Sequence, residues 1–281
     1  MSADQPCLGA PVRQARLRVL GSFELRTSDG ADAGIGLAAD ERRLIAALAV
    51  SPGMRTARGL ASLLWPSLAA DVALGTLLGV QDSLDGLIVE RNGRLWLSDQ
   101  VEVDLGHALA LLRRWQQNPA DLSGEDVADL VGLLGQDLLP QWSEGWVRQE
   151  RASLHQVRMR ALESLCARLT SLGEHELAIL AGSHVVAAEP LRQDARRALI
   201  EAHLAAGNVS EALHQYEAFA ETCAKFGVSP SGDLSAFFPP SPAWPVLHVR
   251  RPIHVAASVG RGLSFEPQTR RVQAGAGAAR G

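Results

Sequence analysis

Residues 172–190, LGEHELAILAGSHVVAAEP, and residues 206–219, AGNVSEALHQYEAF, decide the fold because they repeat each other. Gly173 and Gly207 are 34 residues apart, and each is followed five residues later by an alanine. A 34-residue period of helical sequence indicates stacked antiparallel helix pairs. Glycine suits the tight turn between two helices, and alanine lets paired helices approach closely. The sequence therefore predicts an α-helical repeat in the second half of the chain.

Further positions of the two copies match a tetratricopeptide unit. The alanines are Ala178 and Ala212, Pro190 ends the first copy, and Tyr216 and Phe219 take the aromatic and small positions of the second. Hydrophobic periodicity predicts helices over residues 107–117, 125–134, 143–172, 174–188, 191–206 and 209–226. The helix that opens at Ser143 carries an apolar stripe of Trp146, Leu154, Val157, Leu162, Leu165 and Leu169.

Strand patterns lie at two places in the first part of the chain. Residues 16–26 alternate apolar and polar side chains around Gly21 and Ser22, which predicts a pair of short strands. Residues 88–97, IVERNGRLWL, have apolar side chains on both sides of an Asn-Gly pair. This pair between two strand-like runs is the strongest short-range signal for a β-hairpin.

Three helix patterns lie between these strands. Asp40 is a candidate N-cap for the first helix, which Ser51-Pro52-Gly53 ends. Thr56 is a candidate N-cap for the second, which stops near Trp65, and the third spans residues 71–84. Strands, three helices and a hairpin, in that order, are typical of a winged helix. The predicted fold is therefore mostly α, with a winged helix of the α+β class followed by a tetratricopeptide-like repeat.

Bulk composition is that of a globular protein long enough for two domains. The 281 residues are 47% hydrophobic and 21% charged, a balance that lets each domain bury a core. Cys7, Cys166 and Cys223 have no metal or redox spacing, which indicates reduced thiols. The N-terminus lacks a signal-peptide pattern, and the longest apolar run, residues 44–50, is too short to span a bilayer. We expect a cytoplasmic protein without a membrane partner.

Charge is distributed unevenly along the chain. The net charge is −4 overall, −3 over residues 1–105 and +4 over residues 229–281. DNA-binding domains usually show a basic surface, and the predicted winged helix lacks one.

The motifs do not indicate catalysis, a metal or a nucleotide. Residues 34–39, GIGLAA, resemble a dinucleotide-binding loop, but no βαβ pattern surrounds them, so a surface loop is the better interpretation. The eight histidines form no zinc motif. Asp82 and Asp85 are close in sequence, but we expect them to face solvent from a helix rather than to form a catalytic dyad. We therefore expect no enzyme activity and no cofactor.

Several runs resemble the SARP-type bacterial transcriptional activators. Four runs resemble the DNA-binding half of that family, namely LRVLGSFEL at 17–25, RRLIAALAVSPGMR at 42–55, LLWP at 63–66 and VEVDL at 101–105. Residues 137–165 and 188–219 resemble its bacterial transcriptional activator domain. The resemblance covers residues 16–234. It implies an OmpR-type winged helix and three tetratricopeptide-like helix pairs, which bind promoter DNA and recruit RNA polymerase through its sigma factor.

The third helix departs from the pattern of this family. Members that bind DNA place several arginines along this recognition helix, whereas the corresponding positions here hold Val72, Leu78, Ser83 and Asp85. A carboxylate facing a phosphate repels it, and each lost cation removes a phosphate contact. The sequence therefore predicts a weakened recognition helix.

Seven residues remain candidates for DNA contact. On the third helix, Thr76 and Gln81 are positioned for base edges. Thr56 and Arg58 open the second helix, where free amides and the helix dipole favour a phosphate, although an ordinary N-cap explains them slightly better. The wing residues Arg91, Asn92 and Arg94 are positioned for phosphates or the minor groove, although a solvated turn also explains two arginines.

Two interpretations of function follow. The first is a DNA-binding transcription regulator with double-stranded promoter DNA and the sigma factor as partners. The second is a protein-interaction module that keeps the winged helix as a scaffold and binds a protein partner on the helical repeat. We expect a flexible N-terminus over residues 1–15, a winged helix over 16–106, the activator domain over 107–234 and a disordered tail over 235–281.

Overall fold

The computed structural model describes residues 14–28, 30–50, 56–84 and 86–238. The predicted fold class is confirmed: a winged helix precedes a helical repeat. The first strands, β1 (Ala15–Arg18) and β2 (Glu24–Thr27), pair antiparallel with Leu17 opposite Leu25, as predicted. Cys7 and the predicted breaker at residues 51–53 lie outside the described residues.

Three helices follow, α1 (Ala39–Val50), α2 (Ala57–Leu64) and α3 (Ala70–Ser83). The prediction that Asp40 is an N-cap is wrong, because Asp40 lies in the first turn of α1. Its Oδ1 accepts hydrogen bonds from Arg43 Nη1 at 3.3 Å and Trp65 Nε1 at 3.2 Å. Glu41 caps the N-terminal end of α1 instead. Its carboxylate accepts a hydrogen bond from the Ala38 amide at 2.7 Å, which is one of the two hydrogen bonds of a capping box.

The hairpin is formed by β3 (Ile88–Arg91) and β4 (Arg94–Leu97). Asn92 and Gly93 both have positive φ, 56° and 69°, as a two-residue type I′ turn requires. A further strand, β5 (Val101–Val103), pairs parallel with β1, so that β1 lies in the centre of a three-stranded sheet.

The rest of the described chain is helical. Its helices are α4 (Asp104–Gln117), α5 (Gly124–Gly135), α6 (Gly145–Leu172), α7 (His175–Ala188), α8 (Gln193–Ala205), α9 (Val209–Lys225) and α10 (Gly232–Ser235), with a 3₁₀ turn at Pro119–Asp121. Ser143 does not open α6, because the N-cap position is Glu144. The Glu144 carboxylate instead accepts from Arg43 Nε at 3.2 Å.

The repeat has the geometry that its glycines and alanines predict. Gly173 and Gly207 adopt left-handed φ of 82° and 76° at the turns after α6 and α8. Ala178 and Ala212 are fully buried. The two helix pairs α6/α7 and α8/α9 are therefore built alike.

The predicted apolar stripe of α6 is wrong at one position. Val157 is exposed, whereas Arg158 is buried. The Arg158 guanidinium donates to the Leu134 carbonyl at 2.7 Å and to Asp137 Oδ1 at 2.6 Å. It is buried because it satisfies the carbonyl end of α5, which has no intrahelical partner.

The segment between α5 and α6 joins the two halves of the chain. Leu138 forms a β-bridge with Leu20, and the Leu139 amide donates to the Val19 carbonyl at 2.9 Å. Arg151 of α6 holds the other side, donating to the Leu138 carbonyl at 2.8 Å. Both leucines belong to the core of the winged helix.

Structure continues past residue 234, where the pattern of the sequence ends. The Ser231 amide donates to Gln193 Oε1 at 3.1 Å, and the Phe238 ring packs on Tyr216 with centroids 5.6 Å apart. Residues 239–281 of the predicted tail and residues 1–13 of the predicted flexible N-terminus lie outside the described residues. Where the structure describes the chain, none of the helices has the length and apolar character needed to cross a bilayer.

Candidate nucleic-acid interface

The N-terminus of α2 lies beside the wing. Thr56 forms a β-bridge with Arg94, the first residue of β4. The Thr56 hydroxyl accepts from the Gly59 amide at 3.2 Å, so the predicted N-cap is confirmed. Arg58 follows in the first turn of α2 and is exposed. The fold thus brings Thr56 and Arg94 together and leaves Arg58 exposed in the first turn of α2. A helix N-terminus and guanidinium groups favour an anion.

The wing tip itself is partly neutralised. Arg91 Nη2 is 2.7 Å from Asp99 Oδ2, and both side chains are exposed. Such a surface ion pair is worth about 0–1 kcal/mol, so a DNA phosphate can replace the carboxylate. Asn92 is exposed at the turn. The sequence analysis did not identify Asp99 as the partner of Arg91.

The two candidates on α3 are less accessible than predicted. Thr76 and Gln81 are half-buried, and the Thr76 hydroxyl donates to the Val72 carbonyl at 3.0 Å. The hydroxyl proton of Thr76 is therefore used within the helix. In the part of the chain that the structure describes, neither Thr76 nor Gln81 forms a hydrogen bond or β-bridge with the N-terminus of α2 or with the wing.

Where the structure describes them, the positions of the missing cations are exposed, as their place in the family pattern implies. Val72 is 57% exposed and Leu78 is 47% exposed. The Ser83 hydroxyl lies 2.7 Å from both Glu41 Oε1 and the Val80 carbonyl oxygen, which places a carboxylate where the family has a cation. Asp82 is exposed, and Asp85 lies outside the described residues. The sequence does not predict this contact, because Glu41 and Ser83 are 42 positions apart in the chain.

The inner side of α3 explains why the helix persists without those cations. Ala73 and Leu77 are buried against the winged-helix core. Their burial stabilises α3 whatever its outer side chains are, since helices in proteins depend mainly on packing of one face. Fold and outer-face chemistry are thus independent in this helix.

Comparison with known proteins identifies the helical half. Residues 124–238 match the family model described as "Bacterial transcriptional activator domain". This part of the chain is similar to the bacterial transcriptional activator domains that the model describes. The match agrees with the SARP-type resemblance of the sequence, and the matched family is one of transcriptional regulators.

A solved structure shares the fold. Mycobacterium tuberculosis EmbR, in complex with a low affinity phosphopeptide, aligns with a TM-score of 0.60 and 17% identity. The alignment covers 80% of this chain and 64% of the EmbR chain. A search of curated proteins gave no significant match.

Metal chemistry is not indicated near the activator domain or the winged helix. Within residues 14–28, 30–50, 56–84 and 86–238, histidine, cysteine and acidic side chains do not gather in groups of three or more that suit a metal ion. Burial raises the pKa of the Cys166 thiol to about 12, so this cysteine is an inert core residue.

Proposed function

We propose that this chain regulates transcription by binding double-stranded promoter DNA weakly, mainly through the DNA backbone. The observation that carries the proposal is the Thr56–Arg94 bridge, which places the N-terminus of α2 beside the wing. Arg91 is paired with Arg94 across the hairpin, Arg58 lies in the first turn of α2, and both are exposed. Contacts of this kind position a protein on DNA but read no sequence.

In this proposal α3 adds little affinity and little sequence preference. Residues 70–83 contain no lysine or arginine, and a helix in the major groove lies between two phosphate-lined walls. Thr76 and Gln81 are the polar residues of α3 left for base edges, and both are half-buried. Promoter choice would then depend on a partner protein.

The activator domain supplies the second activity. By the family resemblance, it would recruit RNA polymerase through the sigma factor, with the helical repeat as the contact surface. Such a regulator acts where the chromosome is, so the proposal places the protein in the cytoplasm.

A salt titration of DNA binding tests the proposal. The protein should be the full chain and a version that ends at residue 238, because the basic residues beyond 238 can add non-specific affinity. We expect a shallow slope of log K against log salt for the shorter version, close to the number of arginines engaged.

Four variants sharpen this experiment. Arg58→Ala and Arg94→Ala should each reduce the slope by about 1, whereas Arg160→Ala, an exposed arginine on α6, should leave it unchanged. Val72→Arg with Leu78→Arg should strengthen binding and steepen the slope. Tight, sequence-specific binding by the unmodified shorter version at physiological salt would contradict the proposed weakness of α3.

A second candidate function is supported by the apolar outer face of α3. Exposed Val72 and Leu78 suit a protein better than a phosphate. If neither version of the chain binds DNA in a salt-dependent manner, the winged helix is a scaffold and the protein is an interaction module.

A further inference from the structure

The outer face of α3 and the turn before it form an exposed apolar surface. Leu68, Val72 and Leu78 are 41%, 57% and 47% exposed. Val72 and Leu78 are six positions apart, so at about 100° per residue their side chains lie about 120° apart around α3. They flank the direction that points away from the buried Ala73 and Leu77. We refer to the surface formed by Leu68, Val72, Gly75, Leu78 and Gly79 as the α3 face.

Gly75 and Gly79 form a shallow notch in the α3 face. A Cβ built on either glycine meets nothing within 4 Å, so packing inside this chain does not require a missing side chain there. Each glycine weakens the helix relative to alanine. Absence of side chains at i and i+4 does, however, let the backbone of a second helix approach closely between flanking ridges.

The rim of the α3 face is acidic. Asp71 lies at the N-terminal end and Asp82 at the C-terminal end, and both are exposed. Glu41 adds a carboxylate beside Ser83, where the helix dipole is also negative. Residues 66–84 contain no lysine or arginine to offset these charges.

We propose that the α3 face docks a cationic amphipathic helix of a partner protein. Its apolar stripe would cover Val72 and Leu78, and its basic flanks would meet Asp71 and Asp82. DNA is a poor occupant because apolar side chains give a phosphate no hydrogen bond. A second copy is also disfavoured, because a two-fold contact would bring the same acidic rim against itself. The proposal does not require that the chain bind DNA.

A synthetic peptide serves as the probe. It is an 18-residue helix-forming sequence with a leucine stripe flanked by lysines and a fluorescent label, and its anisotropy is measured against the chain ending at residue 238. A scrambled peptide of the same composition controls for charge alone. We expect the scrambled peptide to bind at least tenfold more weakly than the amphipathic one.

Paired variants locate the binding. Val72→Ser with Leu78→Ser should weaken peptide binding at least tenfold, whereas Leu172→Ser with Leu180→Ser, which removes leucines 58% and 42% exposed on the repeat, should leave it unchanged. Asp71→Asn with Asp82→Asn should weaken binding severalfold, and that loss should shrink at high salt.

Alanine variants of the two glycines distinguish an effect on peptide binding from an effect on stability. Gly75→Ala with Gly79→Ala should raise the melting temperature, because alanine favours a helix and its Cβ enters open space. The same change should weaken peptide binding, because it fills the notch. A merely structural role for these glycines predicts no loss of binding.

Three outcomes would overturn the proposal. The first is equal binding of the peptide to the serine pair and to its control. The second is self-association, seen by sedimentation, that disappears in the serine pair. The third is salt-dependent DNA binding that disappears in the serine pair, which would place α3 on DNA. The proposed function is tested separately by Arg58→Ala and Arg94→Ala, which should weaken DNA binding without changing peptide binding.

Discussion

Single small residues set how closely the helices of the activator domain pack. Ala212 and Ala178 are fully buried at equivalent positions of the two copies. Gly182, one turn after Ala178, is tighter still, since a Cβ there would lie 3.0 Å from Cys166 Sγ and 3.2 Å from Leu199 Cβ. Side chains larger than these would force α6, α7 and α8 apart.

Replacing Ala212 by phenylalanine should therefore destabilise the repeat by about 1–3 kcal/mol, the usual cost of overpacking a core. The measurement is urea unfolding of the full chain followed by circular dichroism. Ala224→Phe, at an exposed position of the same helix α9, is the matched control and should change stability little. Equal midpoints for Ala212→Phe and the unmodified protein would contradict the repeat packing.

At the scale of elements, two histidines of the repeat, the half-buried His184 and the buried His203, link its stability to pH. His184 of α7 lies against Gly135 at the end of α5. Burial, and then the positive charge of Arg158, lower its pKa below the ordinary 6.5. His203 of α8 also has its pKa lowered by burial, and Glu211 opposes that shift. Both folded imidazoles therefore favour the neutral form.

Acidification should weaken the repeat for this reason. An unfolded imidazole takes up a proton as the pH falls through about 6.5, while the folded ones resist protonation, so stability is lost below that pH. The urea midpoint should fall between pH 7.5 and 5.5. His184→Gln with His203→Gln should flatten this dependence, and the exposed His214→Gln should not. An unchanged dependence in the double variant would show that other groups cause it.

At the scale of the whole molecule, the winged helix and the activator domain share a core. Leu138 and Leu139, which follow α5, are fully buried in the winged-helix core together with Trp146 and Val147 at the start of α6. The Leu139 amide also donates to the Val19 carbonyl at 2.9 Å. The boundary predicted between residues 106 and 107 therefore crosses a continuous set of contacts.

A fragment of residues 14–106 should consequently fail to unfold cooperatively. It lacks the four core side chains between 138 and 147, and removing one large buried side chain already costs about 2–5 kcal/mol. The experiment compares thermal unfolding of this fragment with that of residues 14–172 and 14–238. The two longer chains should show a cooperative transition for the winged helix. A cooperative transition of the shortest fragment at the same temperature would show that the shared core is dispensable.

Local signals in the sequence determined much of this protein. The turns at Gly173 and Gly207, the Asn-Gly turn and the Thr56 cap depend on neighbours within one or two turns of chain, and the structure agrees with all of them. The absence of cations from α3 is likewise legible in the sequence. Backbone geometry and hydrophobic period suffice for such features because both act over a few residues.

Only the tertiary structure decided which distant residues meet. Parallel pairing of β5 with β1, burial of Arg158 and the bridge between Thr56 and Arg94 join residues separated by 21 to 86 positions. The residues that form these long-range contacts are of the same residue types as neighbours that do not. The hydrophobic periodicity of the sequence therefore does not indicate which of them meet. Burial of a charge such as Arg158 is tolerated only where carbonyls and a carboxylate surround it, and that surrounding exists only once the chain has folded.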